Sequence, residues 1–169
     1  MKITAGGMSR NLESQLLGAW QRHNQILLLL LRGVPNKGFA AVPTGSRGRD
    51  VARQFNHIDR VRRGWVHYHR TGKRPNLPRG DAGPRPTRAR LNAALVASGK
   101  DVSAFVEECL RGEARPRMFG RDVVRWLAYL ISHESHHRGQ IVLALKQSGL
   151  RLPEKVAMQG LWGKWILGK

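Results

Sequence analysis

The sequence predicts an all-α chain, an antiparallel four-helix bundle with one long crossover loop. Three observations carry this. Four long stretches repeat their apolar residues with the 3.6-residue period of a helix. No stretch alternates with the period of two that a half-buried strand requires. One stretch rich in Pro, Gly and Arg separates the second helical pattern from the third, where a crossover belongs. At 169 residues the chain reads as a single domain, residues 1–169, large enough to enclose a sizeable core.

The first pattern runs from about Ser9 to Arg32, with Leu12, Leu16, Leu17, Trp20, Ile26, Leu27 and Leu30 as apolar positions. Gly33 and Pro35 end it. Its ILLLLL run, residues 26–31, is far too short to span a bilayer and reads as helix buried on most sides. The second pattern begins after Ser46 and reaches about Tyr68, with Phe55, Ile58, Val61 and Trp65 inward. Arg53, Arg60, Arg62 and Arg63 mark its wet edges. Residues 71–88 hold four prolines, which forbid a regular helix, and residues 71–90 are expected to form a mobile basic loop.

The third pattern starts near Thr87 and runs to Gly99, or on to Leu110 after a break at Gly99, with Asp101 capping the new segment. The fourth starts near Gly120 and ends at Ser148, where Gly149 supplies a C-cap. In the tail, Trp162 and Trp165 are too apolar to leave in water. They are expected to pack back on the bundle, the alternative being a contact between two copies.

The formal charge is +19. Lys and Arg gather at 47–49, 60–63, 70–90 and 111–125, a surface that attracts nucleic acid or anionic lipid non-specifically. These residues are scattered over several elements and form no stripe interleaved with aromatics. No helix-turn-helix, zinc-finger or RNA-binding signature is present, so specific nucleic-acid binding is not expected. The single cysteine, Cys109, excludes an internal disulfide and suits a reducing cytoplasm. MKITAGGMSRNLESQ at the start has no apolar signal core. A cytoplasmic protein with no membrane segment is expected.

The chemistry concentrates in LISHESHHRGQIVLALKQSG, residues 130–149. His133 and His137 stand four residues apart, one above the other on a helix face. Leu130, Ile141 and Ala144 share that stripe, so both imidazoles point into the core. Core imidazoles are costly unless something binds their nitrogens. A hydrogen-bonding partner is the bland solution. A divalent metal is the simplest, because neutral imidazole ligates zinc, nickel, iron or copper well. The best upstream third ligand is His57, on the second pattern. Taken alone, His57 is better explained by a hydrogen-bonded partner than by a metal. If the second and fourth helices face each other, three imidazoles meet and leave open positions for water or substrate. Glu134, His136, Arg138 and Gln140 are candidates for supporting groups around them.

HESHH also matches H-E-x-x-H, the zinc-protease helix motif. That chemistry needs Glu134 beside the metal as general base, and a third ligand downstream. Leu143 stands where the extended motif has its third histidine, and the later Glu154 lies beyond a helix end beside Pro153. The protease reading is therefore set aside.

With NHIDRVRRGW and LLGAWQRHNQILLLLL upstream, HESHHRGQIVLALKQSGL resembles the DinB-like (YfiT-like) metal-dependent proteins. The resemblance spans roughly residues 9–165, and H-x-x-x-H-R-G-Q is its most specific block. It implies a four-helix bundle with a long crossover loop and a metal triad at His57, His133 and His137. It implies nickel or zinc as the metal, and a homodimer. It also implies a small-molecule substrate and metal-dependent transferase or isomerase chemistry using a low-molecular-weight thiol such as bacillithiol or mycothiol. The charge and the Arg/Pro-rich 71–90 loop depart from the typical member. The reading from the residues is a three-histidine metalloprotein acting as a thiol transferase or hydrolase. Its rival is a non-enzymatic basic protein that binds metal or nucleic acid.

Overall fold

The computed structural model describes residues 5–77 and 83–167, with side chains from residue 12. Among the described residues the chain is helical and holds no strand. Four helices are long: α1 (Ala5–Gly33), α2 (Val51–Thr71), α3 (Arg88–Leu110) and α4 (Val123–Gln147). Short 3-10 turns lie at Asn36–Ala40 and Phe119–Arg121. After α4, a π-helical segment Lys155–Gly163 runs into a single turn, α5 (Lys164–Ile166). Helix α3 packs on both α1 and α2, and α4 touches α1 and α2. None of the described helices is long and apolar enough to cross a membrane.

Each long helix after α1 starts on an oxygen-bearing side chain that accepts from an otherwise unpaired backbone N–H. Asp50 accepts from Arg53, Thr87 from Arg90, and Asp122 from Val124 and Arg125. Gly72 and Gly149, at φ 74° and 70°, turn the chain off α2 and α4.

Helix α3 does not break at Gly99, and Asp101 lies inside it rather than capping a new segment. The glycine answers a close approach. A Cβ there would fall 2.5 Å from the Asn24 amide nitrogen, and the Gly99 carbonyl accepts from Trp20 Nε1 at 3.1 Å. Gly99→Ala is expected to destabilise the protein by about 1–3 kcal/mol through overpacking. Urea unfolding measures this, and an unchanged midpoint would contradict the close approach. Helix α4 begins at Val123, not Gly120. Phe119, Gly120 and Arg121 have φ 58°, 66° and 62°, a left-handed turn that cannot run into a right-handed helix.

The expected 71–90 loop is shorter at both ends, because Thr71 belongs to α2 and Arg88 opens α3. Its centre, 78–82, lies outside the described residues. Its later flank is tied down. Arg85 donates to Asp50 at 2.9 Å, and Arg88 donates to the Val34 carbonyl at 2.7 Å.

Two apolar clusters make the core. One gathers Leu27, Leu30, Phe55, Ile58, Leu95, Ile141 and Ala144. The other gathers Trp20, Val66, Val102, Phe105, Trp126 and Leu130. Between them runs a buried polar layer: His23 of α1, Arg62 of α2, Ser98 of α3 and Glu134 of α4. Arg62, expected at a wet edge, is 0% exposed. The tail returns to α1, where Gly33 leaves room for Val156 and Gly160 sits against Leu29. Trp165 lies 6.4 Å from the His23 ring. Trp162 does not pack back as expected, and is 62% exposed.

Candidate metal centre

His57 comes from the middle of α2, and His133 and His137 come from α4. The four-residue spacing aligns the α4 pair, with ring centroids 4.7 Å apart. The facing helix adds His57, centred 5.3 Å from His133 and 4.8 Å from His137. Nε2 of His133 lies 3.3 Å from Nε2 of His57 and 3.3 Å from Nε2 of His137. One ligand atom from each of the three residues lies within 4.8 Å of the others.

The donor set suits a cation. Tetrahedral ligands about 2.1 Å from zinc are separated by about 3.4 Å, close to the observed pairs. His137 Nδ1 lies 3.2 Å from Gln54 Oε1, while Gln54 Nε2 donates to the Arg49 carbonyl at 3.4 Å. The carbonyl orients the amide, so His137 carries its proton on Nδ1 and turns a lone pair on Nε2 toward the other two rings. His133 Nε2 has one proton at most and two nitrogen neighbours. It cannot make a well-directed hydrogen bond to both, whereas a cation between the three nitrogens would engage all of them.

Burial lowers the pKa of His137 to about 4, helped by the charges of His133, His57, His136 and Arg49. Burial also lowers His133. Adjacent Glu134 opposes that shift, and His136 and Arg49 add to it. These two imidazoles are thus kept in the neutral form that ligates metal. Tyr129, one turn earlier, stacks on His133 at 5.8 Å.

Of the residues that sequence placed around the triad, Glu134 turns away into the polar layer. Arg62 Nε donates to one of its oxygens at 2.7 Å, and Arg62 Nη2 to the other at 2.6 Å. His23 Nε2 adds a contact at 2.8 Å. Arg62 also donates to Asn24 Oδ1 and to the Leu95 carbonyl. Burial would raise the Glu134 carboxyl, but Arg62 and His23 bring it down to about 2. A carboxylate so engaged is not available as general base, which removes the protease reading of HESHH. Arg138 donates to Ser135 at 2.8 Å, and Gln140 bonds His136 at 2.9 Å on the exposed side. Gln54 and Arg49 were not singled out from sequence. Gln54 precedes His57 by three positions, a spacing that shares a helix face.

Acidification tests these environments. The folded pKa values of His137 and His69 lie near 4, below the ordinary 6.5. Their stabilising contribution is complete above pH 6.5 and is lost as pH falls toward 4, because the unfolded chain takes up the protons first. The melting temperature of the metal-free protein is expected to be level above pH 7 and to fall through that window. A level or rising profile in thermal melts would contradict the burial of these rings.

A search of curated proteins finds no match to the chain. The model of the DinB family matches residues 8–165, a span that takes in all three histidines and most of the chain. The chain belongs to the DinB family.

Proposed function

We propose that His57, His133 and His137 hold one divalent cation, zinc or nickel, and that the protein is a metal-dependent enzyme acting on a small molecule with a low-molecular-weight thiol. The observation that carries this reading is the convergence of three imidazole Nε2 atoms from α2 and α4. Three neutral ligands leave the cation's charge intact and positions open. When bound, such a cation lowers the pKa of a water or a thiol. Gln54 keeps His137 in the ligating tautomer. Arg49 adds positive charge beside the ligands and favours an anionic incoming group. Glu134, engaged by Arg62, does not close the site as a fourth ligand. Burial and Glu108 push the Cys109 thiol up to about 11, which disfavours its thiolate.

In this reading residues 1–169 are one domain, and α1–α4 are an antiparallel four-helix bundle with its crossover between α2 and α3. The exposed Met158, Trp162, Ile166 and Leu167 suit a homodimer contact. The test is a cobalt-substituted protein titrated with N-acetylcysteine. A charge-transfer band that grows with thiol, and is absent from His133→Ala, is expected. Cobalt bound at the triad with no spectral response would defeat the thiol chemistry and leave a non-enzymatic metal-binding protein.

A further inference from the structure

A cavity of about 700 Å³ opens where the ends of α2 and α3 meet the 113–121 segment. It is distinct from the metal centre, because His69 on its wall follows His57 by about 18 Å along α2. His69 is 3% exposed. Its Nδ1 accepts from the Arg117 backbone N–H at 3.2 Å, and its carbonyl accepts from Arg117 Nε at 3.0 Å. Gly72, at φ 74°, leaves the space that the guanidinium fills, since a Cβ there would lie 3.3 Å from Arg117 Cζ. Arg117 is therefore held by its main chain, its Nε and its packing, and its terminal nitrogens remain to be used.

The charges around this cavity do not cancel. Glu108 on its wall is paired with Arg70, and Glu113 with Arg111. That leaves Arg115, Arg117 and Arg121 lining the cavity with no carboxylate partner among the described residues. Arg121 is presented by the left-handed turn of residues 119–121, a conformation costing about 1–2 kcal/mol per non-glycine residue. The turn is anchored by the Phe119 ring, 4.9 Å from Trp65 and 5.0 Å from Tyr129. Three guanidinium groups in one concavity focus positive potential, and each fork matches the oxygens of a phosphoryl group. The volume lies within the range of small-ligand sites and exceeds the needs of a single phosphate.

We propose that this cavity binds a compact phosphate-bearing small molecule through Arg115, Arg117 and Arg121. The test is calorimetric titration of the metal-loaded full chain with inorganic pyrophosphate at constant ionic strength. Saturable binding is expected, one-to-one in His133→Ala, where the metal centre no longer competes for the anion. The Arg115→Gln/Arg121→Asn double variant should weaken it by about tenfold or more. Asn tolerates the left-handed position, and both arginines are exposed, so the fold should be kept; an unchanged circular dichroism melt verifies this. Arg90→Gln/Arg151→Gln removes the same charge elsewhere on the exposed surface and should leave binding unchanged. His133→Ala should also still bind.

Absence of saturable binding, or equal weakening in both double variants, would overturn the site. Loss of binding in His133→Ala alone would assign the anion to the metal centre. A single-stranded oligonucleotide separates the two sources of phosphate. If it binds more tightly than pyrophosphate, displaces it, and depends on Arg115 and Arg121, the ligand is a nucleic-acid backbone and the small-molecule proposal fails.

Discussion

Changing His133 or His137 to Ala is expected to remove most of the bound metal, and the triple change with His57→Ala to bring metal content to background. Elemental analysis after dialysis reads the result. Each imidazole supplies one of three nitrogens around a single point, so two that remain bind far more weakly. Gln54→Ala keeps all three ligands but removes the acceptor that fixes the His137 tautomer. It is expected to weaken metal affinity by about 10–100-fold, as loss of such an outer partner does. A triple variant that keeps wild-type metal content would place the site elsewhere.

The other large effect lies in the buried ion pair. Glu134→Leu leaves the Arg62 guanidinium, 0% exposed, without its carboxylate. Breaking a buried pair in this way costs about 3–5 kcal/mol. Arg62→Leu/Glu134→Leu removes both charges and is expected to recover most of that loss, since an apolar replacement of a buried pair is often neutral or better. Chemical denaturation of the two single variants and the double variant measures the coupling. Glu134→Leu with wild-type stability would mean that the carboxylate is not held as described, and would return it to candidacy as a catalytic base.

The candidate metal ligands on α4 were legible in sequence because their chemistry and their spacing coincide. His133 and His137 are marked by residue type, and the helical period places them together. His57 needed a facing helix, and the geometry sets its ring beside the other two. Gln54 had the right spacing but a side chain that advertises nothing. Arg62 shows the opposite failure. It stands four residues from both Ile58 and Val66, on the buried face, yet its charge and its neighbours Arg60 and Arg63 argued for solvent. Only the carboxylate brought by α4 makes its burial tolerable, and that partner lies 72 positions away. Gly99 looked like a breaker because a glycine's local cost is visible in sequence, whereas the Asn24 side chain that requires it is not. The left-handed turn at 119–121 had only Gly120 as a signal. Trp162 was expected to find cover by its size, and α1 meets Val156, Gly160 and Trp165 of the same segment instead.

The polar layer also works as a length gauge. Slide α4 along α2 by one turn, and Arg62 faces Leu130 in one direction or Arg138 in the other. The first strands a guanidinium in an apolar surround, and the second sets like charges together. Either misalignment forfeits the ion pair and carries the full desolvation penalty of Arg62. Apolar clusters alone would tolerate such slippage far better, because leucine against isoleucine is nearly as good one turn along. Glu134 adjoins His133 in the chain, and Arg62 lies little more than a turn beyond His57. The alignment that satisfies the ion pair is therefore the one that sets the three imidazoles opposite one another. The chain sets the meeting point of its three imidazoles with charges that stand apart from it, so the place that suits a cation is measured out by an ion pair.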